Sequence, residues 1–359
     1  MLRILVLTKR QYMNKDLIDD QFGRFREIPL ALARLGHKVT GLCLSYKQKN
    51  EGWLTDETVR WKSFNAGLFK IFGLMRFIAE ARRQAKKSDI IWACSDSFYG
   101  IIGHIISVNT GIPLVFDLYD NFEFFLAAKL PVINQLYHHT IKKCTSITCV
   151  SQPLAKLVYS YGRKENVVVL ENAARKDIFY PMPQNSCRAA LGLPKNCQLI
   201  GTAGALTNNR GIKNLFAAFD LLKDRHVDLH LAIAGPRKTN LPCDDRIHDL
   251  GVLAFEKVPL LLNALDVAVI CNLDNEFGKY CFPQKAVEIM ACDVPLIAAR
   301  VGSMKELFAN HPEWLYEPGN PLSLAETLER RLVEKKTDYD IFPTWKDLAL
   351  EVEKIMLNL

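Results

Sequence analysis

Lys285 and Glu288 lie three residues apart in an otherwise apolar stretch, YCFPQKAVEIMACDVPLIAARVGS, that runs from 280 to 303. Its first half has the spacing of a short helix and its second that of a buried strand. A carboxylate between Val287 and Ile289 is costly to bury without partners, so it must accept hydrogen bonds. Two readings follow. Glu288 pairs with Lys285 on one helix face, or its two oxygens accept the vicinal hydroxyls of a ribose. The loop before it, LDNEFGKYCFPQ, leads to Pro283 at a helix start, where the N–H groups around Cys281, Phe282 and Gln284 would face an anion such as a phosphate.

Other residues could join such chemistry. Arg210 sits in a TNNRGIKN loop, where a solvated arginine is the plain reading. In PLVFDLYDNFEFF, Asp120 could cap the next helix. Arg24 and Arg26, with the loop KRQYMNKDLIDD, are expected to meet the acceptor or its phosphate. The single D-x-D, Asp338 and Asp340, follows no strand, so no catalytic metal is expected.

These residues need elements to hold them. Strand-like and helix-like runs alternate in both halves, the mark of parallel α/β architecture. Strands are expected at 3–8, 38–44, 89–94, 113–118, 146–151 and 166–172, and again at 198–204, 228–235, 266–272 and 295–299. Helices are expected at 28–36, 69–87, 98–111, 152–162, 211–223, 257–264 and 283–292. Pro29 fits the first turn of its helix, which would leave Arg24, Phe25 and Arg26 in the loop or cap before it. Residues 173–197 contain three prolines and read as a linker, and an amphipathic helix ends the chain at 343–359. The domains are therefore expected at 1–175 and 190–335, with a terminal helix at 340–359 whose apolar stripe must dock on one of them. If the two doubly wound halves face each other, the cleft at their strands' carboxyl ends is the site.

At 359 residues with 49% apolar and 24% charged residues, the chain reads as globular and long enough for two cores. No apolar run reaches the ~18 residues of a membrane span. Ten cysteines without a C-x-x-C pair suit a reducing cytoplasm rather than a disulfide or zinc framework. The net charge of +7 is uneven: residues 1–180 carry 26 Lys and Arg against 16 Asp and Glu, and the remainder 20 against 23. No nucleic-acid-binding motif accompanies the basic half, so phosphorylated substrates or an anionic membrane surface are the expected partners. Arg82, Arg83, Lys86 and Lys87 close an amphipathic helix and suit either such a surface or the helix dipole.

The segment 264–306 resembles the signature region of the group 1 family of retaining GT-B glycosyltransferases: ALDVAVICN, Phe282, VEIMAC and VPLIAARVGS match in order and spacing. VSQPLAKL, NVVVLENAARKDIF, GTAGALTNNRGIKNLFAAFDLL, LHLAIAGP and the late Trp345 resemble further family segments. The resemblance implies two Rossmann-like domains facing across a cleft, the first for the acceptor and the second for a nucleotide-sugar donor, with the terminal helix packing back on the first and no cofactor beyond that UDP- or GDP-sugar. It implies that Glu288 binds the donor ribose and that Arg210 neutralises the diphosphate as the sugar leaves. It implies too that Tyr119 and Asp120 stand about where the family has a histidine and an acidic residue near the donor sugar, so that Tyr119 would meet substrate and Asp120 could act as base toward an acceptor hydroxyl or touch a sugar hydroxyl. Lys285 stands where it could take over from an absent second arginine, whose place Ala205 holds. It also implies departures. Tyr280 stands where the family has a glutamate contacting the donor sugar, Asp293 replaces a turn glycine, and Asp19 and Asp20 stand where paired glycines are usual.

The expected activity is transfer of a sugar to a glycan or lipid-linked acceptor in cell-surface polysaccharide or glycolipid synthesis, in the cytoplasm or at the inner face of its membrane. A sugar-nucleotide epimerase or hydrolase on the same fold and a non-catalytic nucleotide-sugar-binding subunit are the alternatives.

Overall fold

The computed structural model describes residues 1–12, 15–67, 71–335, 337, 339 and 342–359, with the side chains of 126 and 127 left aside. The chain divides into two compact units, residues 1–171 with 345–359, and residues 172–344.

Short runs rich in Ile, Val and Leu that are apolar on both faces can be satisfied only in a sheet covered on both sides, and such sheets are parallel. Ile4 to Leu7 are at most 1% exposed. In the first unit Arg3–Lys9 lies at the centre, flanked by Lys38–Ser45 and Ile90–Cys94. Beyond Lys38–Ser45 come Val59–Asn65 and an antiparallel edge strand, Gly52–Asp56. Beyond Ile90–Cys94 come Leu114–Leu118, Ser146–Cys149 and Val167–Val169, all parallel. The chain thus winds out one way from its first strand and then the other. The switch point, where such sheets open a crevice for ligands, lies between the carboxyl ends of Arg3–Lys9 and Ile90–Cys94.

The second unit repeats the plan with six parallel strands ordered Ile247–Asp249, Leu229–Ala234, Gln198–Ala203, Val267–Ile270, Leu296–Ala299 and Leu315–Tyr316. One apolar layer, with Leu265, Ile289 and Phe308, covers one face. Another, with Leu215, Phe219 and Leu328, covers the other. Its switch point lies between the ends of Gln198–Ala203 and Val267–Ile270.

Three readings of the sequence change. The first helix runs from Arg24 to Arg34, so Pro29 lies in its interior rather than in its first turn. Gly23, at φ 104°, turns the chain into the helix early, a backbone state that suits glycine. Arg24, Phe25 and Arg26 are therefore helical and buried. The hairpin at 52–65 has no counterpart among the expected strands.

Residues 173–197 are not a bare linker but contain a helix, Gln184–Ala190. Its Arg188 is buried, pairs with Asp266 at 2.8 Å and donates to the carbonyls of Ala264, Lys195 and Cys197. Arginine held this way ties the segment to the second unit's core.

The terminal helix, Trp345–Leu357, packs on the Arg24–Arg34 helix, and Glu353 meets His37 at 2.7 Å. No helix among the described residues is long and apolar enough to cross a membrane.

Candidate functional site

The stretch 280–303 folds as read, a short helix, Gln284–Ala291, followed by the buried strand Leu296–Ala299. Pro283 caps the helix rather than opening its first turn. Asp293 adopts φ 55° in the turn between them, the left-handed state that aspartate tolerates better than most residues.

The helix delivers Lys285 to the second unit's switch point. A β-carbon on Gly204, the first residue after Gln198–Ala203, would stand 2.3 Å from Lys285 Cε and 2.5 Å from its Nζ. Only glycine leaves room for that side chain, and its φ of 116° suits glycine as well. Burial, then the nearby Arg210 guanidinium, lower the Lys285 pKa to about 8. Burial pushes the neighbouring Cys271 thiol up to about 12, so it stays neutral.

Arg210 ends a single 3-10 turn, Asn208–Arg210, before Gly211 at φ 76° opens the Ile212–Leu222 helix. Its guanidinium lies 4.4 Å from the centroid of Phe277, a cation–π contact that fixes the fork while leaving its donors unpaired. Among the described residues, no carboxylate lies within ion-pair distance of either Arg210 or Lys285. Two cations close enough that Arg210 lowers the Lys285 pKa, with no carboxylate within ion-pair distance of either among the described residues, make a site for an anion.

Glu288 is 8% exposed. The ion pair with Lys285 that the sequence allowed does not form. Burial raises the Glu288 pKa to about 7, against smaller opposing effects of Lys285 and Gln284. Gln284 itself donates to the Ala173 carbonyl at 2.7 Å. The carboxylate is thus buried without a salt bridge, one turn along the helix from Lys285.

The residues before the helix behave unequally. Cys281, expected to present its N–H to an anion, instead donates it to the Phe277 carbonyl at 3.1 Å. Its own carbonyl accepts from Ser303 at 2.9 Å. The preceding helix, Glu276–Tyr280, needs that N–H for its last turn. Phe282 is buried, and its carbonyl accepts from Asn172 at 3.1 Å. Tyr280 is half-buried at the end of that short helix.

In the first unit, Tyr119 and Asp120 follow Leu114–Leu118 at its carboxyl end. Tyr119 is buried, donates to the Ser95 carbonyl at 3.1 Å, and has its pKa raised well above the usual range by burial. Asp120 is half-buried and accepts from the Asn121 N–H at 2.8 Å. The capping role considered for Asp120 falls to Asn121, which accepts from Glu123.

Arg24 and Arg26 are placed otherwise than expected. Arg24 grips buried Asp117 with two nitrogens, at 2.9 and 3.1 Å, and donates to the Leu170 carbonyl. Arg26 holds Asp56 in the same way, at 2.7 and 2.8 Å, and Glu27 at 2.8 Å. Once the helix begins at Arg24, both side chains point into protein and must be paired. They are structural cations rather than contacts for an acceptor phosphate. Asp338 and Asp340 lie outside the described residues, as do parts of the 9–20 loop and the start of the helix expected at 69–87. Among the described residues no cluster could hold a metal ion.

Two family models match the chain, "Glycosyl transferases group 1" over residues 197–334 and "Glycosyltransferase Family 4" over 25–176. An uncharacterized glycosyltransferase of Methanocaldococcus jannaschii is 27% identical over 247 residues, 61% of this chain and 61% of that protein. The chain thus matches less than two thirds of that relative's length. Sucrose-phosphate synthase from Thermosynechococcus elongatus superposes with a TM-score of 0.74 at 16% identity, over 99% of this chain and 97% of that one. HepE of Anabaena in complex with UDP gives 0.72 at 18%, over 99% and 95%. These likenesses establish the GT-B fold. With both halves matched in order by the two models, the chain belongs to the group 1 family of glycosyltransferases.

Proposed function

We propose that the protein transfers a sugar from a nucleoside diphosphate donor to a hydroxyl of a glycan or lipid-linked acceptor, with retention, in cell-surface polysaccharide or glycolipid synthesis. The observation that carries this reading is the convergence of Arg210 and Lys285, two cations without carboxylate partners among the described residues, beside the buried carboxylate of Glu288. The cations suit a diphosphate and the carboxylate suits a ribose diol. UDP bound to HepE, a protein of the same fold, supports the donor class.

Chemically, the second unit stabilises a leaving diphosphate. Charge grows on that group as the sugar departs, and a guanidinium already stacked in place stabilises it without reorganising. Lys285, half-buried and with its pKa lowered, gains most from an anion, because a bound diphosphate restores the charge that desolvation disfavours. Asp120, at the carboxyl end of its own sheet, is the residue proposed to orient or deprotonate the acceptor hydroxyl. Tyr280 takes the place of a donor-sugar contact with a neutral phenol.

The test is titration with UDP by calorimetry, followed by product analysis with UDP- and GDP-sugars. Wild type should bind, and Glu288→Gln should weaken UDP by roughly 10- to 150-fold, since it loses hydrogen bonds to a charged acceptor worth about 1.5–3 kcal/mol. Equal affinity in the two proteins overturns the ribose assignment. Free sugar or an epimer from the donor alone, with no transfer to any acceptor, would favour a hydrolase or epimerase.

A further inference from the structure

The first unit's switch point holds a cation of its own. Lys9 ends the central strand, Arg3–Lys9, and its ammonium lies 5.3 Å from the ring centroid of Phe125, 5.5 Å from Tyr12 and 5.7 Å from Tyr119. Three rings on one ammonium are a desolvating, weakly attractive enclosure.

The place is built rather than incidental. The Lys9 N–H donates to Ser95 Oγ at 2.8 Å, Thr8 Oγ1 donates to the same oxygen at 3.0 Å, and Tyr119 donates to the Ser95 carbonyl. Ser95 sits at φ 80°, a left-handed state unfavourable for a serine, and is fully buried. Strain of this kind persists where the surroundings over-determine it, and it concentrates at ligand sites. Here it locks Lys9 and Tyr119 to the crevice from both flanking strands.

The charge is left uncompensated. Asp96 and Asp120 lie near enough to favour the ammonium, yet burial outweighs them and lowers the Lys9 pKa. No carboxylate among the described residues comes within ion-pair distance of Lys9. The buried arginines next to it in sequence and space, Arg10 and Arg24, are each matched to a carboxylate. A half-buried cation without a match, at the crevice where doubly wound sheets take ligands, is an incomplete ion pair.

We propose that Lys9, within the Tyr12, Tyr119 and Phe125 rings, forms a subsite for an oxyanion, phosphate or carboxylate, carried by the acceptor. This rests on the reading of the first unit as the acceptor unit. The anion site at Arg210 and Lys285 belongs to the other unit and serves the donor.

The experiment uses the full chain, wild type and Lys9→Met, titrated with glucose, glucose 6-phosphate and glucuronate in the presence of saturating UDP and followed by saturation-transfer NMR. Lys9→Met keeps the stem among the rings, so the thermal midpoint should not fall. Wild type should bind one or both anionic sugars at least tenfold more tightly than glucose, and the phosphate and carboxylate arms show which anion the subsite takes. Lys9→Met should lose that preference while its UDP affinity stays as in wild type. Equal preference in the two proteins, or none in wild type, overturns the proposal. Absence of UDP binding in wild type would refute the donor reading, whereas an anion preference lost with Lys9 would still stand by itself.

Discussion

Replacing Glu288 with glutamine should make the protein more stable and a worse binder at the same time. Burial moves this carboxyl from an ordinary 4.5 to about 7. A rise of that size corresponds to roughly 3 kcal/mol at about 1.4 kcal/mol per pH unit. The folded pKa lies above the unfolded one, so the unfolded chain gives up its proton first. The favourable contribution of the protonated group is complete below about pH 4.5 and is lost as pH rises through about 7. Glutamine has nearly the same shape and no proton to lose. Relative to wild type, Glu288→Gln should therefore change little at pH 4.5 and gain up to roughly 3 kcal/mol at pH 7.5.

In a unit of this size the gain at pH 7.5 is about 5–10 °C in the midpoint of its unfolding. Lys285 titrates with the opposite sign, since its depressed pKa penalises the folded state below about pH 8, but it is present in both proteins and largely cancels in the difference. Scanning calorimetry of the two proteins at pH 4.5 and 7.5 is the measurement. A lower midpoint for Glu288→Gln at pH 7.5 would show that the carboxylate is satisfied inside the fold, and the reasoning from an unpaired buried charge would fail.

Four further outcomes follow from the geometry. Arg210→Ala should depress turnover by more than tenfold with a smaller effect on UDP affinity, because its charge matters most as the diphosphate leaves; steady-state kinetics beside calorimetry separate the two. Gly204→Ala should displace Lys285 and weaken UDP about tenfold or more, read by the same titration, since the new methyl and the ammonium claim one space. Arg24→Met should destabilise the first unit by about 3–5 kcal/mol in urea unfolding, leaving Asp117 charged and buried, and a neutral result would return Arg24 to the list of acceptor contacts. Asp293→Gly should stabilise the second unit by about 0.5–1 kcal/mol in the same assay, because glycine adopts φ 55° without the cost that a β-carbon brings.

Much of this architecture is visible in apolar periodicity, because strands buried on both faces leave unbroken runs such as ILVL and VAVI. What periodicity misses is set by single residues or by pairs far apart. The early start of the first helix depends on Gly23, whose backbone turns before Pro29 can mark the boundary, and this carried Arg24 and Arg26 from an expected loop into the interior. The edge hairpin at 52–65 is half exposed and turns on Glu57 at φ 49°, without the glycine that signals most tight turns.

The candidate site divides in the same way. Glu288 is legible because a carboxylate in an apolar helix demands an explanation. Lys285 was open between two roles, and its position against Gly204, more than eighty residues away in sequence, decides against the pair with Glu288. Lys9 carries no local signal, since a lysine at a strand end is usually solvated. Its enclosure comes from Tyr12, Tyr119 and Phe125, brought together by the crossover.

The terminal helix belongs to the first unit although the chain completes the whole second unit before reaching it. During synthesis the face of Arg24–Arg34 that receives the Trp345–Leu357 helix, in which Leu348, Ala349 and Val352 are buried, therefore stays bare until that helix leaves the ribosome. The second unit, continuous in sequence, can close first, while the first waits through roughly 170 more residues, about 9 to 34 seconds at about 5–20 residues per second. An apolar helix face exposed that long is where a chaperone would bind. A chain released short of Trp345 would carry an intact second unit joined to a first one that cannot finish folding.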